Sequence, residues 1–175
     1  MMRWCASNRA DPVARAIADR HYNRQTVGAE QFVPPGRCCV LVEDTARAFW
    51  VTSWPLPEFV KHDWPGAWIC SAFRSEDAGG SVELVTQALS ATRAALGEPP
   101  ALGLVTFIDH RQVKPTMIRS HPTWGWVWVK AGFRYVGQTK AGLLTFQILP
   151  IDMPPPMPAK QRLPLGLPLF DEALA

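Results

Sequence analysis

Ala67-Trp68-Ile69-Cys70-Ser71-Ala72-Phe73 is followed by a polar turn, Arg74-Ser75-Glu76-Asp77-Ala78-Gly79-Gly80, and then by Ser81 through Leu96. The first run is apolar and uncharged until Arg74, as a buried strand requires. Ser81 is a good N-cap residue, because its hydroxyl can satisfy an early helical N–H. Val82, Val85, Leu89 and Leu96 recur at helical spacing, and Gly97 with Pro99-Pro100 ends the pattern. The stretch therefore reads as strand, turn, helix. A strand feeding directly into a helix presents free backbone N–H groups and the positive end of a dipole, where acyl carriers, phosphates or carboxylates are held.

Working outward, Asp11-Pro12 pairs an N-cap with a proline at the first helical position, and Val13, Ile17 and Arg20-His21 share one side of a helix expected to end near Tyr22. Pro34-Pro35-Gly36 is a turn. It is followed by two β-prone runs, 38–43 and 46–54, that form a hairpin around Asp44-Thr45. The 58–66 segment is an irregular loop in which His62-Asp63 reads as a solvated turn. On the far side of the central helix, 101–108 is an uninterrupted apolar run, suited to a strand buried on both faces and ending at Asp109-His110-Arg111. The 112–123 segment is a basic, proline-stiffened loop. A short helix over 124–131 with Gly132 just beyond it precedes two closing strands, 133–139 and 143–148. The order gives an α/β fold, a mixed sheet flanked by helices.

The chain has 175 residues, 47% of them hydrophobic, enough for one domain with a proper core. That domain is expected over 1–149. Pro150, Pro154-Pro155-Pro156, Pro158, Pro164 and Pro168 make 150–175 an extended tail. A net charge of +3 permits an acidic partner without requiring one. Cys5, Cys38, Cys39 and Cys70 have no CxxC spacing, so reduced thiols in a cytoplasm are expected, and no metal site is read from the four scattered histidines. No run of about 18 apolar residues suggests a membrane span.

Several residues carry chemistry. His21 and Tyr22 at a helix end are either a cation meeting the helix dipole or a base and orienting group facing a cleft. Asp109 follows a buried strand's C-terminal end, where ligands of open α/β sheets gather; the alternative is a turn cap. Lys114 and Arg119, in a stretch without acids, are candidate phosphate contacts or a solvated face. Trp64, Trp124 and Trp126 can stack on a base or pack in the core. Leu167-Pro168-Leu169-Phe170 resembles the hydrophobic half of bacterial sliding-clamp-binding peptides, with Gly166 where a Gln usually leads.

The order of elements, with Lys130-Ala131-Gly132-Phe133-Arg134-Tyr135-Val136-Gly137, resembles the GCN5-related N-acetyltransferase superfamily across 13–148. The resemblance implies acetyl-CoA held by the turn before the central helix. Here that turn lacks the Arg/Gln-x-x-Gly-x-Gly/Ala pattern and carries Glu76 and Asp77, so the donor is left open, acetyl-CoA among the candidates. The position of that superfamily's thiolate-protonating Tyr is Trp128. His21-Tyr22-Asn23-Arg24, Phe73-Arg74, Ser81 and Phe107-Ile108-Asp109 are similar to segments of Mom-like phage DNA modification proteins, divergent members of the same fold that convert adenine to a carbamoylmethyl derivative. Gly125-Trp126-Val127-Trp128 departs from their later Tyr-bearing segment.

That resemblance implies a transferase acting on the exocyclic amine of adenine in double-stranded DNA. His21 or Asp109 would be the base, and Tyr22 and Arg74 would orient the donor. Ser81, Gly79 and Gly80 would hold a donor oxygen, and Arg24, Lys114, Arg119, Trp124 and Trp126 would meet donor or DNA. The rivals are an acyl-CoA N-acetyltransferase acting on a small amine or protein, and a non-catalytic module that binds DNA or the clamp.

Overall fold

The computed structural model describes residues 1–162. Its centre is a seven-stranded sheet of order β1-β2-β3-β4-β5-β9-β8. The strands are β1 (Trp4–Ala6), β2 (Arg37–Glu43), β3 (Ala48–Trp54), β4 (Trp68–Ser75), β5 (Leu104–Ile108), β8 (Arg134–Gln138) and β9 (Leu144–Ile148). β6 (Thr116–Ile118) and β7 (His121–Thr123) form a separate two-stranded ribbon. The described residues hold three α-helices, α1 (Pro12–Ala18), α2 (Ser81–Leu96) and α3 (Trp126–Lys130), and two short 3-10 turns, Pro57–Phe59 and Pro150–Asp152. β4 and β5 are parallel, and the other neighbours in the large sheet are antiparallel. The parallel pair needs a crossover, and α2 is that crossover.

Alternation along the strands makes two packed layers. Trp4, Trp50, Trp68, Leu84, Leu89, Leu104 and Ile148 fill the layer beneath α2, and Ile17, Val40, Val42, Phe49 and Val51 fill the layer beneath α1. Three of these tryptophans are fully buried, which agrees with core packing as the commoner role of tryptophan in this chain. Each such burial contributes about 1.5–3 kcal/mol or more of hydrophobic stabilisation. Gly103 closes the layer at β5. Its φ is +65°, and a Cβ there would stand 2.0 Å from the Ile148 carbonyl oxygen.

One irregularity shapes the sheet beside a cavity. On β3, Thr52 faces Cys70 and Val51 faces Ala72, so Ser71 is an extra residue with no partner. A bulge of this kind bends its strand and increases the local twist. On β4's other side the ladder with β5 stops at Cys70↔Thr106. Beyond that point the two strands part.

Four expectations need correcting. α1 ends at Ala18, and His21 and Tyr22 follow it in a turn where the His21 N–H bonds the Ala18 carbonyl. No apolar residue beyond Ala18 continues the helical stripe, so nothing extends the helix. The N-cap of α2 is Gly80, at φ +61° with no side-chain cap bond, and Ser81 is the first helical residue. The 112–123 segment contains the β6–β7 ribbon, whose tip residues Arg119 and Ser120 have φ +48° and +68°, as a tight two-residue hairpin turn demands.

The fourth correction concerns the tail: its described part, 150–162, opens with a 3-10 turn over Pro150–Asp152 and is docked, so the domain continues past 149. Met153 is buried, and Arg93 donates to the carbonyls of Met153 and Pro154. The Met157 N–H bonds the Ser90 carbonyl. Lys160 pairs with β1 through its own N–H to Trp4 and by accepting from Ala6. This covers a sheet edge that would otherwise expose unpaired backbone groups. Residues 167–170, the clamp-like segment, lie outside the described residues. No helix among the described residues is long and apolar enough to cross a membrane.

Candidate functional site

Where β4 parts from β5, the carbonyls on its outer edge lose their ladder partners and must find others. The turn after α1 supplies them. Asn23 Nδ2 donates to the Ser71 carbonyl at 2.9 Å, and His21 Nε2 lies 3.2 Å from the Phe73 carbonyl. A carbonyl only accepts, so Nε2 carries the proton. Nδ1 then accepts from the Asn23 N–H at 3.2 Å. The 21–23 segment thus stands in for a missing strand.

The gap that remains is a cavity of about 270 Å³, walled by His21, Tyr22, Ser71, Ser81, Phe107 and Trp128 among others. Burial holds the His21 imidazole below its ordinary pKa, and the nearby Arg74 charge acts in the same direction, so the ring is neutral. The Tyr22 ring stacks on it, centroids 4.7 Å apart. Burial raises the Tyr22 hydroxyl's pKa, opposed by the backbone of Asp109 beside it. It is therefore a protonated donor at neutral pH. Ser81 brings a second hydroxyl from the first turn of α2. Cys70 also lines the wall, but burial pushes its pKa well up and leaves an un-ionised thiol.

The Asp109 carboxylate is already engaged by its own turn. Its carboxylate accepts from Arg111 at 2.7 and 3.0 Å, from Gln112 at 2.9 Å and from the Arg111 N–H at 3.1 Å. Arg111 first, then Gln112, hold its pKa far below the usual carboxylate range. It fixes the turn after β5, and that turn places its backbone beside Tyr22. Arg24 is likewise committed to its own loop, pairing with Asp19 and donating to the carbonyls of Ala29 and Gln31. Arg74 pairs with Glu76, which also receives a bidentate bond from Arg20. Arg20 first, and Arg74 after it, bring Glu76 to about 2.

Gly79 and Gly80 shape the turn into α2. Arg3 grips that turn through the Gly79 carbonyl at 3.0 Å and the Ala78 carbonyl, while pairing with the buried Glu43. Burial opposes ionisation of Glu43, yet bonds from Thr45 and Arg3 outweigh it and bring it to about 2.

Trp124 donates to the Val113 carbonyl at 2.8 Å, and Lys130 lies over the Trp126 ring at 4.5 Å. Neither tryptophan belongs to the cavity wall. Lys114 and Arg119 are exposed, Arg119 at the ribbon tip. Trp64 packs against Phe107 rather than the cavity.

The structure therefore brings His21, Tyr22 and Ser81 to one cavity wall and leaves Arg74 and Asp109 outside its lining. Asn23 and Phe107 also line the cavity, and the sequence reading left them without a role. Asn23 carried a signal in its spacing from His21, whereas Arg3, at the chain start, carried none. No protein-family model, no curated protein and no solved structure matches this chain.

Proposed function

We propose that the chain is a transferase of the N-acyltransferase kind that places a small acyl or carbamoylmethyl-type group on an amine, with the exocyclic amine of adenine in DNA as acceptor. One observation carries this reading. His21 and Tyr22, from the turn after α1, and Ser81, from the first turn of α2, meet in the cleft opened where β4 and β5 part. Further support comes from the element order and mixed sheet, which agree with the resemblance to the GCN5-related superfamily, and from the charge distribution. His110 through Ile151 contains no Asp or Glu but holds Arg111, Lys114, Arg119, Lys130, Arg134 and Lys140, so the rest of a chain with net charge +3 is net acidic. All six are exposed, a surface suited to a phosphate backbone.

In this reading the amine nitrogen forms a bond to the donor carbon as the bond to the leaving group breaks. Tyr22 gives its proton to the departing group, and Ser81 donates to the donor's oxygen. His21, the neutral nitrogen base of the cleft, takes the amine proton on Nδ1 in exchange for the Asn23 N–H. A base in duplex DNA must leave the stack to reach such a cleft.

The test is to express the protein in a bacterial host and weigh the nucleosides of digested DNA. A heavier adenine nucleoside that disappears with Tyr22→Phe is expected. Unmodified DNA from folded, abundant protein overturns the adenine acceptor.

A second reading, acyl-CoA-dependent transfer to another amine, gains from the pairing of Glu76 with Arg20 and Arg74. That pairing removes one of the two charges that would repel a pyrophosphate at the α2 turn. Calorimetric titration with CoA separates the two readings: binding that weakens at least tenfold in Ser81→Pro favours this one.

A further inference from the structure

On the far side of Phe107 lies a second cavity, of about 410 Å³, between the 61–63 loop and the turn joining β8 to β9. Phe107 lines both this cavity and the cleft. Its ring is 5.0 Å from that of His62 and 6.1 Å from that of Trp64, and His62 and Trp64 are themselves 6.1 Å apart. Lys61 and Lys140 stand at the two walls, both exposed and neither in an ion pair among the described residues. Asp63 also lines the mouth, so two lysines face one carboxylate there. An aromatic floor between cations, with Lys140 drawn from the acid-free stretch of sequence 110–151, suits bases that stack while their phosphates are neutralised.

We propose that this cavity binds a nucleotide neighbouring the one in the cleft: its base stacks on Phe107 and His62, and Lys61 and Lys140 hold the flanking phosphates. The strand then passes over Phe107 from one cavity to the other. The choice of a DNA strand as occupant rests on the reading in the preceding subsection.

The experiment measures binding of the full chain to a fluorescent single-stranded DNA of about 12 nucleotides by anisotropy, across salt concentrations. A fully abasic strand of the same length serves as the comparison. The variant K61A/K140A is expected to bind at least tenfold more weakly and to lose about 1.4 from the slope of log K against log salt, about 0.7 for each phosphate contact on a single strand. His62→Ala is expected to weaken binding about fivefold with the slope unchanged, and the abasic strand to bind at least fivefold more weakly than the intact one, as loss of one stacked base implies.

No binding, variants that bind like wild type, or equal binding of the abasic strand each overturn the proposal. Unmodified cellular DNA together with the expected oligonucleotide results overturns the chemistry and supports this site. Modified DNA with unaffected variants does the reverse.

Discussion

The two sides of β4 form the sharpest contrast in this protein. Against β3 the strand is paired from Ala48↔Ser75 to Ser53↔Ile69, broken only by the bulge at Ser71. Against β5 it is paired for three residues and then abandoned. Trp50, Phe73 and Trp128, whose rings lie within 6 Å of one another, pack together on one face of the paired strands, and the last two also wall the cleft. The abandoned side is filled by side chains of the 21–23 turn and by a cavity. Backbone polar groups are satisfied either way. A ladder satisfies them at no cost in space, whereas side chains standing in for a strand leave room for a ligand and can be replaced one at a time.

That contrast can be broken from either side. Trp50→Ala should have the largest effect, lowering stability by about 3–5 kcal/mol in urea unfolding, because a fully buried ring is lost among neighbours that cannot collapse. Tyr22→Phe should do the opposite. Stability should stay within about 0.5 kcal/mol of wild type, while the proposed transfer to DNA should fall by roughly a hundredfold or more, as loss of an acid would require. His21→Ala leaves the Phe73 carbonyl without its partner and should cost about 1–3 kcal/mol. Asn23→Ala, at a more exposed carbonyl, should cost about 0.5–1.5 kcal/mol by the same unfolding measurement.

The smallest effect is the pH dependence of stability. His21 and His62 both have pKa values lowered by burial in the folded chain. Between the folded pKa and the ordinary value of 6.5, the unfolded chain binds more protons. Their contribution is thus complete above 6.5 and is lost as pH falls below it. Glu43 and Glu76, lowered from 4.5 to about 2, withdraw their contribution later, as pH falls from about 4.5 towards 2. Replacing both histidines by Gln should flatten the first decline in melting temperature and leave the second. An unchanged first decline would mean that neither ring is held neutral by its surroundings.

Much of this was legible beforehand because it depends on neighbours in the chain. The hairpin of β2 and β3, the whole of α2 and the closing strands follow from apolar period and glycine placement, and α2 begins and ends at the residues expected. β1 was not legible, since three residues cannot show a period. It exists because Trp4 fills the core and its backbone pairs with Glu43. The docking of 150–162 was equally hidden: a proline-rich run announces extension, but not the Ser90 and β1 backbone groups that receive it.

The site divides in the same way. Sequence alone nominated His21, Tyr22, Ser81 and Asp109 as reactive types at element ends. It could not say which of them would still have an unspent hydrogen-bonding group. Local pattern fixes where strands and helices start, because backbone conformation answers to adjacent residues. Only the folded chain decided that Arg111 would occupy Asp109, that Ala29 and Gln31 would occupy Arg24, and that the bulge at Ser71 would open the cleft Tyr22 faces. Those outcomes depend on contacts between segments distant in sequence, which no local pattern encodes.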